Sequence, residues 1–162
     1  MKYRHIALIL CSMSLVGGAN AAGLKVKAKQ LVSQDVIESE VARVQQKCGN
    51  AELKASIDWQ AWSGYDYQEA RVDPVNVAGW VGGQVNNIYD DMVALCTKID
   101  HAELYKAEFS KLKTLNFSGQ SKITERDTSF SLSPDGTELN IKLNGNGTYN
   151  SKFAKLLQDA WG

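Results

Sequence analysis

From Ser33 onward the apolar residues Ile37, Val41, Val44 and Cys48 recur at i, i+4, i+7 and i+11. That is one buried stripe of a helix at 3.6 residues per turn. Asp35 and Glu38 near its start suit the positive end of the helix dipole, and Gly49-Asn50 after Cys48 supply a stop. The period then changes. Leu53, Ala55, Ile57 and Trp59 alternate with Glu52, Lys54, Ser56 and Asp58, the pattern of a strand with one dry and one wet face. Between Gln60 and Val72 neither period survives, and the segment reads as a long loop.

Asp73-Pro74 has the form of an N-cap followed by proline at the first helical position, where a missing N–H costs nothing. After it, Ala78, Val81, Val85, Ile88, Met92, Leu95 and Ile99 form the most regular apolar stripe in the chain, with Cys96 beside it. Gly79, Gly82 and Gly83 interrupt this helix, each at a cost of up to ~1 kcal/mol relative to alanine. Two forms satisfy the pattern: a helix that uses glycine for close packing, or one that begins near Gln84. Asp100-His101-Ala102-Glu103 resembles a capping box opening a short helix through Tyr105 or beyond. Leu104, Glu108, Leu112 and Leu115 fit a helix, whereas Lys111, Lys113, Leu115 and Phe117 alternate, so a strand is expected in the second half of 109–118.

Phe130 and Leu132, then Ser133-Pro-Asp-Gly-Thr137, then Leu139, Ile141 and Leu143 read as a β-hairpin around a turn. Asn144-Gly-Asn-Gly147 ends it, and Phe153, Leu156, Leu157 and Ala160 give a C-terminal helix with Trp161 beside its apolar face. The order helix, strand, helix, strands, helix predicts an α+β single domain. It would hold an antiparallel sheet of about four strands with helices packed on one face, and sequential strands in hairpins rather than βαβ units.

The N-terminus changes the picture of where the domain works. Lys2, Arg4 and His5 precede an apolar run from Ile6 to Val16, and small residues follow to Ala19-Asn20-Ala21. A basic start, a run too short for the ~20 residues of a spanning helix and an A-x-A site describe a signal peptide over residues 1–21. The exported domain would then be residues 22–162, periplasmic or secreted. Two cysteines remain, Cys48 and Cys96, an even count that in an oxidising compartment predicts one disulfide. Closing a loop of about 48 residues stabilises a fold by ~4 kcal/mol on the chain-entropy model.

The 162 residues, 44% hydrophobic and 22% charged, suit one globular domain. Taking Lys2 and Arg4 from the 18 basic residues leaves the mature chain two short of its 18 acidic ones. This balance gives no electrostatic case for nucleic acid or for anionic lipid. Lys25-Val-Lys27-Ala-Lys29, the one basic cluster, reads as a solvated tail. No stable membrane insertion is expected once the leader is removed, and the pattern carries no statement of oligomeric state.

Candidate chemistry is sparse. His101 is the one histidine of the mature chain, flanked by helix-start residues, and no zinc-ligand spacing accompanies it. No G-x-S-x-G turn or phosphate-cradling glycine loop occurs, and the adjacent Asp90-Asp91 point about 100° apart on a helix. No catalytic residue, metal ligand or cofactor is therefore assigned. What remains is the segment SIDWQAWSGYDYQ, residues 56–68. Trp59 completes the alternating strand, whereas Trp62, Ser63, Tyr65 and Tyr67 follow it in the non-periodic loop. Flat apolar rings with hydrogen-bonding tips suit protein interfaces and sugar sites. The leading expectation is a non-catalytic binding module that contacts a protein or a cell-envelope component through this loop.

Ser63-Gly64-Tyr65-Asp66-Tyr67 also has the form S-G-x-x-Y, and over these five residues resembles the motif of secreted bacterial inhibitors of animal-type lysozyme. The resemblance implies that Ser63 and Tyr67 enter the lysozyme cleft and hydrogen-bond its catalytic carboxylates. Those inhibitors are mostly β-structured, while this chain has at least three helical segments. A lysozyme inhibitor or immunity-type protein is thus one alternative, and a hydrolase with carboxylate-based catalysis is a second.

Overall fold

The computed structural model describes residues 17–98, 100–147 and 153–161. Residues 1–16 of the predicted leader and Ile99 of the predicted stripe lie outside these, as do the side chains of Phe153, Ala160 and Trp161. Five helices and four strands follow in the order α1 (Gly17–Cys48), β1 (Lys54–Asp58), α2 (Gln60–Ser63), α3 (Pro74–Thr97), α4 (Ala102–Phe109), β2 (Thr114–Gly119), β3 (Ser129–Leu132), β4 (Glu138–Leu143) and α5 (Phe153–Trp161).

Ile37, Val41, Val44 and Cys48 are buried, so the predicted stripe of α1 is its core face. The helix nevertheless extends back past Ser33 to Gly17, the first described residue, and the Lys25–Lys29 run is helical rather than a solvated tail. Ala, Leu, Lys and Gln favour a helix here, and because the stretch buries little of itself its apolar residues do not mark a core face. Helix α3 is continuous through its glycines. Asp73 caps it, its Oδ1 accepting a hydrogen bond from the Val75 N–H at 2.8 Å, with Pro74 following.

Helices α1 and α3 run parallel, since their contacts advance together along both. Ser33 Oγ donates to the Ala78 carbonyl at 2.6 Å, the Tyr89 hydroxyl donates to the Ile37 carbonyl at 3.0 Å, and Arg43 pairs with Asp90. At the C-terminal ends of the two helices Cys48 and Cys96 form the predicted disulfide, with a Cα–Cα distance of 5.2 Å. Gly82 sets the approach at the other end. A Cβ there would stand 3.1 Å from Ser33 Oγ and 3.2 Å from Ser33 Cα, closer than side chains normally pack.

The four strands form one sheet in the order β1-β2-β4-β3. The β3–β4 pair is the expected antiparallel hairpin, but β1–β2 and β2–β4 are parallel, so the sheet is mixed rather than antiparallel. Strands β1 and β2, separated by α3 and α4, thus form a βαβ-type crossover, against the expectation from sequence. Alternation reports that a strand has one wet face and carries no information on direction. Parallel strands are usually covered on both faces and read as continuous apolar runs. Here they are covered on one.

The register makes this plain. Ile57, Phe117, Ile141 and Phe130 align across the sheet on the dry face, where the Phe117 ring meets Tyr89 of α3 edge-on at 5.9 Å. One residue earlier in β1, β2 and β4, Ser56, Asn116 and Asn140 align with Ser131 of β3 on the other face. There Ser56 Oγ donates to Asn116 Oδ1 at 3.0 Å, and Asn116 Nδ2 donates to Asn140 Oδ1 at 3.2 Å. A buried core of Leu115, Phe117, Leu139, Ile141 and Leu143 therefore lies beneath a polar outer surface.

The short helix expected from Asp100 is α4, but the residue before it, His101, has φ 72° and makes no side-chain cap bond. In the hairpin turn Ser133 and Thr137 both donate to the exposed Asp135 carboxylate, Ser133 as the largest influence, and hold its pKa down at about 2.

Candidate functional site

Because β1, β2 and β4 are parallel, their carboxyl ends at Asp58, Gly119 and Leu143 share one edge of the sheet. Loops leaving the carboxyl ends of parallel strands are where open α/β sheets form ligand crevices. Here the first two of those loops are residues 59–73 and 120–128.

The loop after β1 is the long segment expected, but it opens on one helical turn. Asp58 Oδ1 accepts a hydrogen bond from the Gln60 N–H at 2.8 Å and starts the single turn α2. One turn is too short to show a period. That turn directs Trp62 inward, where it is 2% exposed and packs on Trp59 with ring centroids 5.1 Å apart. Gly119 of β2 makes the room. A Cβ at Gly119 would sit 2.6 Å from the Tyr65 hydroxyl and 3.1 Å from both Ala61 Cβ and Trp62 Cε2. Trp62 is therefore core, and the accessible part of the predicted loop begins after it.

The rest of the loop is bonded to itself and to the first residue after β2. Ser63 is exposed, and its hydroxyl donates to the Gln60 carbonyl at 2.7 Å. The half-buried Tyr65 donates to the Gln120 carbonyl at 2.6 Å, and the half-buried Tyr67 donates to the Trp62 carbonyl at 2.6 Å. Burial, followed by the neighbouring Tyr67 and Glu125, pushes the Tyr65 phenol up to about 12, and burial also raises Tyr67. Asp66 Oδ1 accepts from the N–H groups of Gln68 at 3.1 Å and Glu69 at 2.8 Å, which closes the next turn.

Beside this loop lies a cleft of about 540 Å³. One wall is Gly64, Tyr65, Asp66, Glu69 and Ala70, and the other is Ser121, Lys122, Ile123 and Thr124 from the loop after β2. Gln120 anchors the second wall from below. It is buried, and its Nε2 donates to the Asp127 carbonyl at 2.8 Å and to Ser129 Oγ at 2.9 Å. The cleft presents the flank of a tyrosine, two carboxylates, one ammonium and the hydroxyl side chains of Ser121 and Thr124.

Of the sequence candidates, the structure brings Tyr65 to the cleft and places Ser63 on the adjoining exposed turn. Trp62 and Tyr67 support the loop from within. Glu69, Ser121, Lys122 and Thr124 escaped the sequence reading, because the signal that finds them is the parallel pairing of β1 with β2. Cys48 and Cys96 are buried at the opposite, C-terminal end of the α1–α3 pair and staple the fold. Among the described residues no cluster of three or more His, Cys, Asp or Glu side chains has the arrangement to hold a metal ion.

Fold and cleft together define a disulfide-stapled α+β domain with a loop-built crevice. No protein-family model, curated protein or solved structure matches the chain.

Proposed function

We propose that the chain is an exported, non-catalytic binding module, periplasmic or secreted, that contacts a protein or cell-envelope component through the cleft between the Gly64–Ala70 and Ser121–Thr124 walls. The observation that carries this reading is a loop held by its own hydrogen bonds beside a concavity. The Tyr65 and Tyr67 hydroxyls and the Asp66 carboxylate are used to hold the loop, while Glu69, Lys122 and Thr124 remain exposed around the concavity. A preorganised surface loses little conformational freedom on binding. The buried disulfide is compatible with an oxidising compartment.

Reversing the charges of the cleft with Glu69→Lys and Lys122→Glu tests the proposal. Both side chains are exposed, so the thermal midpoint should hold, while a complex crosslinked in the envelope fraction of the producing cell should fall at least tenfold in yield. Undiminished yield from the reversed-charge protein would remove the cleft as the contact.

A further inference from the structure

Helix α1 has a second apolar stripe on the side opposite its core face. Leu24, Ala28 and Leu31 recur at i, i+4 and i+7, with Val32 one step on, and the three large side chains are 68%, 61% and 58% exposed for Leu24, Leu31 and Val32. At about 100° per residue, Lys27 flanks this stripe on one side and Lys25 and Lys29 on the other. Ala28 and Val32 continue into a groove of about 400 Å³ completed by Val75 of α3 and by Lys25 and Lys29. The Lys29 stem there lies within 3.9 Å of where a Cβ on Gly79 would stand.

The charge around the stripe has one sign. No Asp or Glu occurs in the chain before Asp35, and none of Lys25, Lys27 and Lys29 forms an ion pair among the described residues. Beyond Val32 the same outward face turns to Asp35 and Glu38, and the apolar stripe stops. The chain as a whole is formally neutral, so this is a local concentration of positive charge at one end of one helix.

We propose that the Leu24–Val32 face of α1 docks on the anionic headgroups of a membrane surface. An interfacial helix lays an apolar stripe about 5–10 Å into the headgroup boundary and keeps its lysines beside the lipid phosphates, which is the arrangement found here. A second copy of the chain is the less suitable occupant. Four side chains over nine residues fall well short of the roughly 800 Å² per partner that a stable interface buries. The contact is peripheral: among the described residues no helix is long and apolar enough to cross a membrane.

The test is co-sedimentation with vesicles of phosphatidylglycerol and phosphatidylcholine, and with phosphatidylcholine alone. It uses the protein recovered from its producing cell, with the N-terminus read by intact mass. Binding should need the anionic lipid, weaken as salt rises to about 0.5 M where screening is short-ranged, and fall at least tenfold in a Lys25→Gln, Lys27→Gln, Lys29→Gln variant, at about fivefold per lysine. Leu24→Ser with Leu31→Ser should weaken it as well. These positions are exposed, and unchanged circular dichroism confirms that the fold survives. Equal binding to both vesicle types, no binding to either, or wild-type binding by the lysine variant would each overturn the proposal. So would a concentration-dependent dimer in sedimentation that the leucine variant abolishes, because the face would then be a self-association surface.

Discussion

Replacing Gly82 by alanine puts a methyl group where α1 and α3 come closest. Two effects oppose each other. Alanine in a helix interior is favoured over glycine by up to ~1 kcal/mol. Against that, the new Cβ would lie 3.1 Å from Ser33 Oγ, 3.2 Å from Ser33 Cα and 3.4 Å from Ser33 Cβ. The Cα belongs to the backbone of α1, so no rotamer change relieves the contact and the helices must part. Overpacking of this kind costs about 1–3 kcal/mol. Parting also stretches two buried bonds, Ser33 Oγ to the Ala78 carbonyl and the Gly82 N–H to Ser33 Oγ, each with a net worth of about 1 kcal/mol. The expected result for Gly82→Ala is a net loss of about 1–2 kcal/mol. Gly83 is the control within the same turn. It is exposed with nothing within 4 Å of its would-be Cβ, so Gly83→Ala should gain up to ~1 kcal/mol from helix propensity alone. Urea unfolding of both variants under identical conditions, with unchanged slope, measures the two signs. A Gly82→Ala protein as stable as Gly83→Ala would refute the close-packing argument.

Removing the staple with Cys48→Ala and Cys96→Ala should lower the unfolding free energy by ~4 kcal/mol, read as a shifted urea midpoint. Trp62→Ala should cost about 3–5 kcal/mol because the ring is buried, whereas Tyr65→Phe should cost only about 1 kcal/mol for its one bond to Gln120, both by thermal and urea melts. Tyr65 ionisation, followed by ultraviolet absorbance in the wild type against Tyr65→Phe, should centre at about 12. Since the folded value lies above the unfolded value of 10.0, the stability this group contributes is intact below pH 10 and declines as pH rises towards 12. In a cell-wall lysis assay the protein at micromolar concentration should leave animal-type lysozyme fully active. A hydroxyl must donate to bind a carboxylate, and the protons of Ser63 and Tyr67 are committed to the Gln60 and Trp62 carbonyls.

The parts of the fold legible in the sequence are those whose burial repeats with a period. The α3 stripe, the 130–143 hairpin and the cysteine pair all carry a local signal. Strand direction does not, because Leu53 to Trp59 alternates in the same way whether its neighbour runs up or down. The site suffered most from this, since Lys122 and Thr124 face Tyr65 only through the parallel pairing of β1 with β2. Trp62 failed differently. Its burial depends on the missing side chain of Gly119, 57 positions away in sequence, and no window around residue 62 contains that fact. The first half of α1 was missed because a helix whose apolar stripe faces outward resembles a tail in composition.

The placement of the disulfide has a mechanical consequence. Parallel helices joined at their C-terminal ends form a fork closed at one end, and towards the N-terminal end the described contacts of α1 with α3 are those of Ser33 with Ala78 and Gly82 and the groove shared with Val75. Local opening should therefore start at Leu24 and travel towards Cys48. Amide hydrogen exchange along α1 should slow in that direction by several orders of magnitude, with the fastest protons beneath the lysines and the slowest beside the sulfurs. A pull applied at the N-terminus would then open this pair one turn at a time. The same force applied at Cys48 would load both helices at once.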